Sequence, residues 1–137
     1  MSELSIGQSA KMTKIVLEED VKNFGTATGD INPIHLDNEY AMQTAFGQRI
    51  AHGLLIGGMI SAVLGTQLPG PGTIYLSQSL QFRAPVFIGD EITAVAEVIH
   101  IRSDKPVVTI HTTCINQNQQ IVVEGDAVVL VPNDNNQ

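Results

Sequence analysis

Cysteine is almost absent from this 137-residue sequence, in which Cys114 stands alone. A single cysteine cannot form a disulfide within the chain, and the apolar segment 107–115 around it suits a buried, unreactive thiol better than a nucleophile. The first 14 residues also lack a long apolar run and a basic cluster before one. We therefore expect no secretory signal, a mature chain that starts near Met1, and a reducing, cytoplasmic location.

Positive charge is scarce as well, because seven Lys and Arg stand against fourteen Asp and Glu, which gives a net charge of −7. This is the wrong sign for a protein that neutralises phosphate backbones, so nucleic acid is excluded as an expected partner. The length suits one domain over residues 1–137.

Charged side chains are missing between Arg49 and Arg83, apart from the charge that His52 can carry. Residues 52–68 are apolar on every side, which predicts a helix buried all round. The apolar stretch is too short to cross a bilayer and ends at the Pro-Gly-Pro-Gly sequence of residues 69–72, so we expect no membrane association. Gly57, Gly58 and Gly65 lower helix stability, which predicts that another part of the protein approaches this helix closely.

The remaining pattern predicts two short helices and an antiparallel sheet. We expect a strand over 11–17, a helix over 18–28 with Val21, Phe24 and Ala27 on its buried face, and a helix over 39–46 that Asn38 caps. Period-two alternation predicts a strand over 74–82 with one face in the core. Val-, Ile- and Thr-rich runs predict a meander of strands over 91–102, 106–116 and 120–131, while the polar tail 133–137 is expected to be frayed.

A long buried helix against a long antiparallel sheet is an α+β fold, in which a curved sheet wraps the helix. The last strand carries small residues, Gly125 and Ala127, on its apolar face, which leaves room for the helix. Such a small subunit would leave a sheet edge and part of the helix uncovered, so we predict a two-fold symmetric homodimer.

The segment Gly29-Asp30-Ile31-Asn32-Pro33-Ile34-His35 brings a carboxylate, a carboxamide and an imidazole together around a proline. Asn32-Pro33 marks a turn or a helix start, and an ordered turn can direct Asp30 and His35 into one space for acid and base chemistry. Asp30 and Asn32 can equally be ordinary turn residues, and His35 a hydrogen-bonded core histidine.

His52-Gly53 opens the buried helix, where free N–H groups can hold a carbonyl oxygen as it becomes an enolate. The alternative is an ordinary helix start. Ser61, two turns later, either bonds the carbonyl four residues back or supports the catalytic groups. Asp30, His35 and Gly53 together fit acid–base chemistry beside a thioester or ketone carbonyl.

The sequence gives no support for a cofactor site or a metal site. His100, His111 and Asp37 lack the short spacing of a metal-ligand motif, and there is no glycine-rich nucleotide loop of the dinucleotide or P-loop type. We predict neither a metal nor a cofactor.

Residues 24–45, with the Gly29 to His35 segment inside them, resemble the signature of the (R)-specific enoyl-CoA hydratases, the MaoC-like branch of the hot-dog fold. The resemblance continues through Ile50-Ala51-His52-Gly53, the helix to Leu64, and the segments 77–82 and 85–91. It covers nearly the whole chain. The length is similar to that of the compact bacterial enzymes that supply (R)-3-hydroxyacyl-CoA for polyhydroxyalkanoate synthesis.

The resemblance implies a role for each matching residue. Asp30 and His35 would hold one water, with Asp30 as the base that activates it for attack on C3 of a trans-2-enoyl-CoA. His35 would orient the water and pass a proton to C2. The Gly53 N–H would bind the thioester oxygen, Ser61 would contribute to the substrate site, and Asn32 would support the loop.

The resemblance also implies features of acyl-CoA binding. Cations for the CoA phosphates must come from Arg49, Arg83, Arg102 or Lys105, and the acyl tunnel would lie near the dimer interface. Gly57, Gly58, Met59 and Ile60 are candidates for the residues that narrow the tunnel, and the sequence does not reveal the preferred chain length. Two other functions stay open, because one fold hosts many activities: a hot-dog acyl-CoA thioesterase and a non-catalytic acyl-CoA binding subunit.

Overall fold

The computed structural model describes residues 3–132, which form four helices and one six-stranded sheet. In chain order the elements are β1 (Ser9–Ile15), α1 (Glu18–Thr28), α2 (Pro33–Leu36), α3 (Asn38–Met42), α4 (Gly53–Thr66), β2 (Ile74–Gln78), β3 (Gln81–Phe82), β4 (Glu91–Ile101), β5 (Val107–Ile115) and β6 (Ile121–Leu130). The tail 133–137, for which fraying was predicted, lies outside the described residues.

The sheet is antiparallel throughout, with the strand order β1-β4-β5-β6-β2 and with β3 also paired to β6. Strands β4, β5 and β6 confirm the predicted meander to within one residue at each end. Their alternating apolar residues make one buried face, on which α4 packs, so the α+β arrangement is confirmed. Cys114 lies on this face, where burial raises the pKa of its thiol to about 12 and keeps it unreactive.

Helix α1 begins at Glu18 and ends at Thr28, as predicted, and Gly29 follows it in the left-handed conformation. The predicted buried face is wrong in one respect, because Val21 and Gly25 are buried whereas Ala27 is exposed. The helix thus buries positions four residues apart rather than three. Strand β1 lies two residues earlier than predicted, because Val16 and Leu17 leave the sheet to start α1.

The prediction for the next helix needs two corrections. Its N-cap is Asp37, not Asn38, because the Asp37 carboxylate accepts a hydrogen bond from the Tyr40 N–H at 3.1 Å. The helix also ends at Met42, four residues early, because the following residues close turns through Thr44 instead of continuing the helix.

The strand predicted over 74–82 is broken into β2 and β3, and its apolar side chains are largely exposed rather than in the core. Between the two pieces the chain approaches β6 so closely that a Cβ atom on Gly125 would lie 1.9 Å from the Ser79 carbonyl oxygen. Gly125 therefore makes room for Ser79, not for the helix as predicted.

Helix α4 was predicted to be buried all round, and this is wrong for the chain alone. Ile56, Ile60, Val63 and Leu64 are buried against the sheet, but Leu54 is 62% exposed on the opposite side. Gly57 does meet a close neighbour, since its Cβ would lie 3.2 Å from the Leu80 side chain, whereas Gly58 and Gly65 meet nothing within 4 Å. Within residues 3–132, no helix has the length and apolarity needed to span a membrane.

Candidate active site

A cavity of about 540 Å³ lies between the Asp30 loop, the N-terminus of α4 and the segment 82–86. Asp30, His35, His52 and Arg83 are the titratable residues that line it, and most of the remaining lining is apolar. An apolar cavity with a few converging polar groups is the usual form of a small-molecule site. Of the residues predicted for the site, the structure brings together Asp30, His35 and Gly53 here.

The loop that carries Asp30 is ordered by short side chains. The Thr28 hydroxyl accepts a hydrogen bond from the Asp30 N–H at 3.1 Å, and the Asp30 carboxylate accepts one from the Asn32 N–H at 3.3 Å. The Asn32 side chain in turn accepts from the Ile34 N–H and caps α2, in which Pro33 is the first residue. This chain of Asx-type turns sets Asp30 at the cavity and directs α2 toward it.

His35 is buried in α2, with 8% of its surface exposed, and its ring orientation is fixed by one hydrogen bond. The Nδ1 atom lies 2.7 Å from the Ile50 carbonyl oxygen, and because a carbonyl oxygen only accepts, Nδ1 carries the proton. Burial is the main cause that lowers the pKa of His35, and the nearby His52 lowers it further, whereas the Ile50 bond and Asp30 oppose this. Near neutral pH the ring is uncharged, so Nε2 offers a lone pair.

Arg49 supports the main chain at His35 and does not belong to a phosphate-binding site. Its guanidinium Nε donates to the His35 carbonyl oxygen at 2.7 Å, and a second nitrogen pairs with Glu18 at 2.8 Å. Only 8% of Arg49 is exposed. The expectation that Arg49 is available to CoA phosphates is therefore wrong. Of the other three predicted cations, Arg83 lines the cavity, while Arg102 and Lys105 do not.

Asp30, His35 and His52 form a cluster in which one carboxylate oxygen and one nitrogen of each ring lie within 4.8 Å of one another. A water bonded to two partners at about 2.8 Å each separates them by roughly 4.6 Å, so a single water can bridge Asp30 and His35. The spacing can also accommodate a metal ion, which the sequence did not reveal. His100, His111 and Asp37 make no such cluster within residues 3–132.

Gly53 places the start of α4 at the same cavity. The N–H groups of a first helical turn have no partner inside the helix. The first backbone hydrogen bonds of α4 run from the Leu55 and Ile56 N–H groups to the His52 carbonyl oxygen, so they do not use the Gly53 N–H. A Cβ atom on Gly53 would lie 2.5 Å from the Phe82 ring, so glycine leaves the helix end open beside that ring. The Gly53 N–H can therefore donate to an oxygen in the cavity.

Ser61 lies elsewhere. It is exposed in a second cavity of about 370 Å³, between α4 and β2, which Gly57, Gly58 and Leu80 also line. The prediction that residues 52–68 are buried all round is thus wrong at Ser61 for the chain alone, because this side of α4 is open. Met59 and Ile60 are buried against the sheet and line neither cavity, so they do not narrow a tunnel there.

Sequence reasoning missed His52 as a site residue, and it also missed Phe82. His52 was noted only because it precedes a buried helix, and the signal that could have identified it is a histidine in an otherwise apolar segment. Phe82 was assigned to a core strand, but it is 55% exposed and lies over Gly53.

Comparisons with known proteins show which family the chain is similar to. The MaoC-like domain family matches residues 3–119. The chain is 50% identical over 126 residues to an (R)-specific enoyl-CoA hydratase of Rhodospirillum rubrum, covering 92% of this chain and 87% of that protein. It is 46% identical to an (R)-specific enoyl-CoA hydratase of Aeromonas caviae, covering 94% of this chain and 96% of that one. The solved structure of an A. caviae (R)-hydratase involved in PHA biosynthesis superposes with a TM-score of 0.93 at 45% identity, covering 96% of this chain and all of that one.

Replacing Arg49 tests its assignment as a structural residue. Arg49→Met should lower the free energy of unfolding by about 2 kcal/mol, because the buried His35 carbonyl oxygen loses its donor. Urea unfolding measures this. Arg102→Met is the matched control, since Arg102 is an exposed arginine paired only with Asp104, and it should unfold as the wild type does. Equal stability of the two variants would contradict the assignment.

Proposed function

The chain belongs to the MaoC-like domain family, and we propose that it is an (R)-specific enoyl-CoA hydratase whose Asp30 and His35 hold and activate the attacking water. The resemblance found in the sequence and the hot-dog fold that it implied are both confirmed by the relatives and by the A. caviae structure. The reaction is the reversible addition of water to a trans-2-enoyl-CoA, which gives an (R)-3-hydroxyacyl-CoA. Such products are the precursors that polyhydroxyalkanoate synthesis consumes.

The observation that carries the proposal is the meeting of three groups at one cavity: the Asp30 carboxylate, the neutral His35 ring and the N-terminus of α4. The first two accept hydrogen bonds, and the third donates them. A water needs acceptors for its two hydrogens, and a thioester oxygen that gains negative charge needs a donor. The cavity supplies both kinds of group.

The steps follow from these roles. Asp30 takes one proton from the water, while His35 Nε2 accepts a hydrogen bond from its other O–H and aims the oxygen. The oxygen forms a bond to C3, and the C2=C3 electron pair moves toward the thioester to give an enolate, whose oxygen the Gly53 N–H holds. Asp30 then delivers that proton to C2, which restores the carboxylate and completes the addition of one water.

A hot-dog thioesterase is the nearest alternative, because a water held at the same place would then attack C1 and release free CoA. A non-catalytic acyl-CoA binding subunit is the other. The unprotonated Nε2 of a buried, neutral His35 beside a carboxylate favours catalysis over binding alone, since buried imidazoles without a reacting partner leave that lone pair unused. The identity to hydratases over most of the chain favours addition at C3.

We also propose that the functional unit is a homodimer. Several large apolar side chains are exposed on one region around α4 and the β2–β3 segment: Leu54, Ile74, Leu76 and Phe82. Strand β2 is at the end of the strand order, so its outer edge is free to meet another chain. Sedimentation equilibrium of the full chain should give twice the monomer mass, and a monomer at micromolar concentration would contradict the proposal.

The catalytic roles predict the behaviour of two conservative variants. Asp30→Asn removes the base and His35→Gln removes the ring acceptor, so each should lower kcat for crotonyl-CoA hydration at least about 100-fold. The loss of the conjugated absorbance measures the rate, and chiral analysis should give the (R) alcohol from the wild type. His111→Gln is the matched control, because His111 bonds Asp126 outside the cavity, and it should keep full activity.

Retained hydration in either cavity variant would contradict the assigned roles. Release of a free thiol from acyl-CoA, with no hydration, would favour the thioesterase, and binding with no turnover of either kind would favour the non-catalytic subunit.

A further inference from the structure

His52 lies where α1, α2, the Asp30 loop and the start of α4 meet. It is 2% exposed and is the residue that precedes α4. Its ring lies between two others: the Phe24 ring of α1 has its centroid 4.6 Å away, and the His35 ring of α2 has its centroid 3.9 Å away. One side chain thus touches α1 and α2 while its own backbone starts α4.

The hydrogen bond of His52 extends this junction to the Asp30 loop. Its Nε2 atom lies 2.9 Å from the Asp30 carbonyl oxygen. Because that oxygen can only accept, Nε2 must carry a proton, and the neutral ring is then the Nε2–H tautomer. The other nitrogen, Nδ1, is buried and has no hydrogen-bond partner among residues 3–132. The ring is therefore used through Nε2 alone.

We propose that His52 is a positioning residue that sets the distance between the water-holding pair and the N–H groups of α4. Its Nε2–H fixes the main chain of Asp30, its ring face supports the ring of His35, and the residue itself is bonded to Gly53. His52 does not need to touch the substrate for this role.

A core histidine that only fills space would make the same packing contacts but would not depend on the Nε2–H bond. Two substitutions separate these roles. His52→Phe keeps a ring between Phe24 and His35 and removes the donor, whereas His52→Gln gives up the ring and keeps an N–H at nearly the place of Nε2. Packing alone predicts that the phenylalanine variant is the better enzyme, and positioning through the bond predicts the reverse.

The experiment compares both variants with the wild type in crotonyl-CoA hydration. His52→Phe should lower kcat at least about tenfold and leave KM within about twofold, because the reacting groups are misplaced while the binding cavity persists. His52→Gln should recover most of the lost kcat. Val98→Ala, which removes buried volume in β4 away from the cavity, is the stability control and should lower the melting temperature without lowering kcat. A glutamine variant no more active than the phenylalanine variant would overturn the proposal.

The tautomer gives a second readout, on the unaltered protein. Long-range ¹H–¹⁵N correlation spectra should show His52 protonated at Nε2, and protonation at Nδ1 alone would overturn the proposal even if the phenylalanine variant fails to fold. The kinetic comparison rests on the proposed hydratase function, which wild-type turnover tests first. The tautomer measurement does not depend on that function, so a failure of the His52 proposal can be distinguished from a failure of the hydratase proposal.

Discussion

The hydrogen bond between His35 Nδ1 and the Ile50 carbonyl oxygen determines what the cavity can do. It commits the proton to Nδ1 and leaves the lone pair on Nε2, so that the ring faces the cavity as an acceptor. The adjacent Arg49 donates to the His35 carbonyl oxygen. Residues 49 and 50 therefore hold His35 at two places, its main-chain carbonyl and its ring. Rotation of the ring would break this bond and remove the constraint on the tautomer.

The fold supplies the other half of the site through α4. A helix whose buried face packs on an antiparallel sheet has a fixed axis, and its N-terminal N–H groups therefore have a fixed direction. Glycine at position 53 keeps those groups accessible beside Phe82. His52 contacts the His35 ring of α2 and the main chain of the Asp30 loop, and it directly precedes the first residue of α4.

The chemistry-bearing segment could be predicted from the sequence because it is local. Asp30, Asn32, Pro33 and His35 fall within six residues, and their turn and capping preferences dictate the conformation that the structure has. The strands of the meander were equally predictable from their runs of Val, Ile and Thr. Two of the failures depended on distant contacts: the break between β2 and β3 follows from the approach of Ser79 to Gly125, and the burial of Arg49 from an ion pair with Glu18, 31 residues away. The exposed side of α4 looked like core because an apolar sequence does not reveal whether its own chain covers it.

The central claim is that one water, held by Asp30 and His35 on one side of the substrate, provides both the hydroxyl at C3 and the hydrogen at C2. Hydration of crotonyl-CoA in D₂O measures this directly, because the coupling between the C2 and C3 protons in the ¹H NMR spectrum of the product reveals where deuterium enters. The account predicts one deuterium at C2, on the same face as the new hydroxyl. Deuterium on the opposite face, or equally on both, would contradict it.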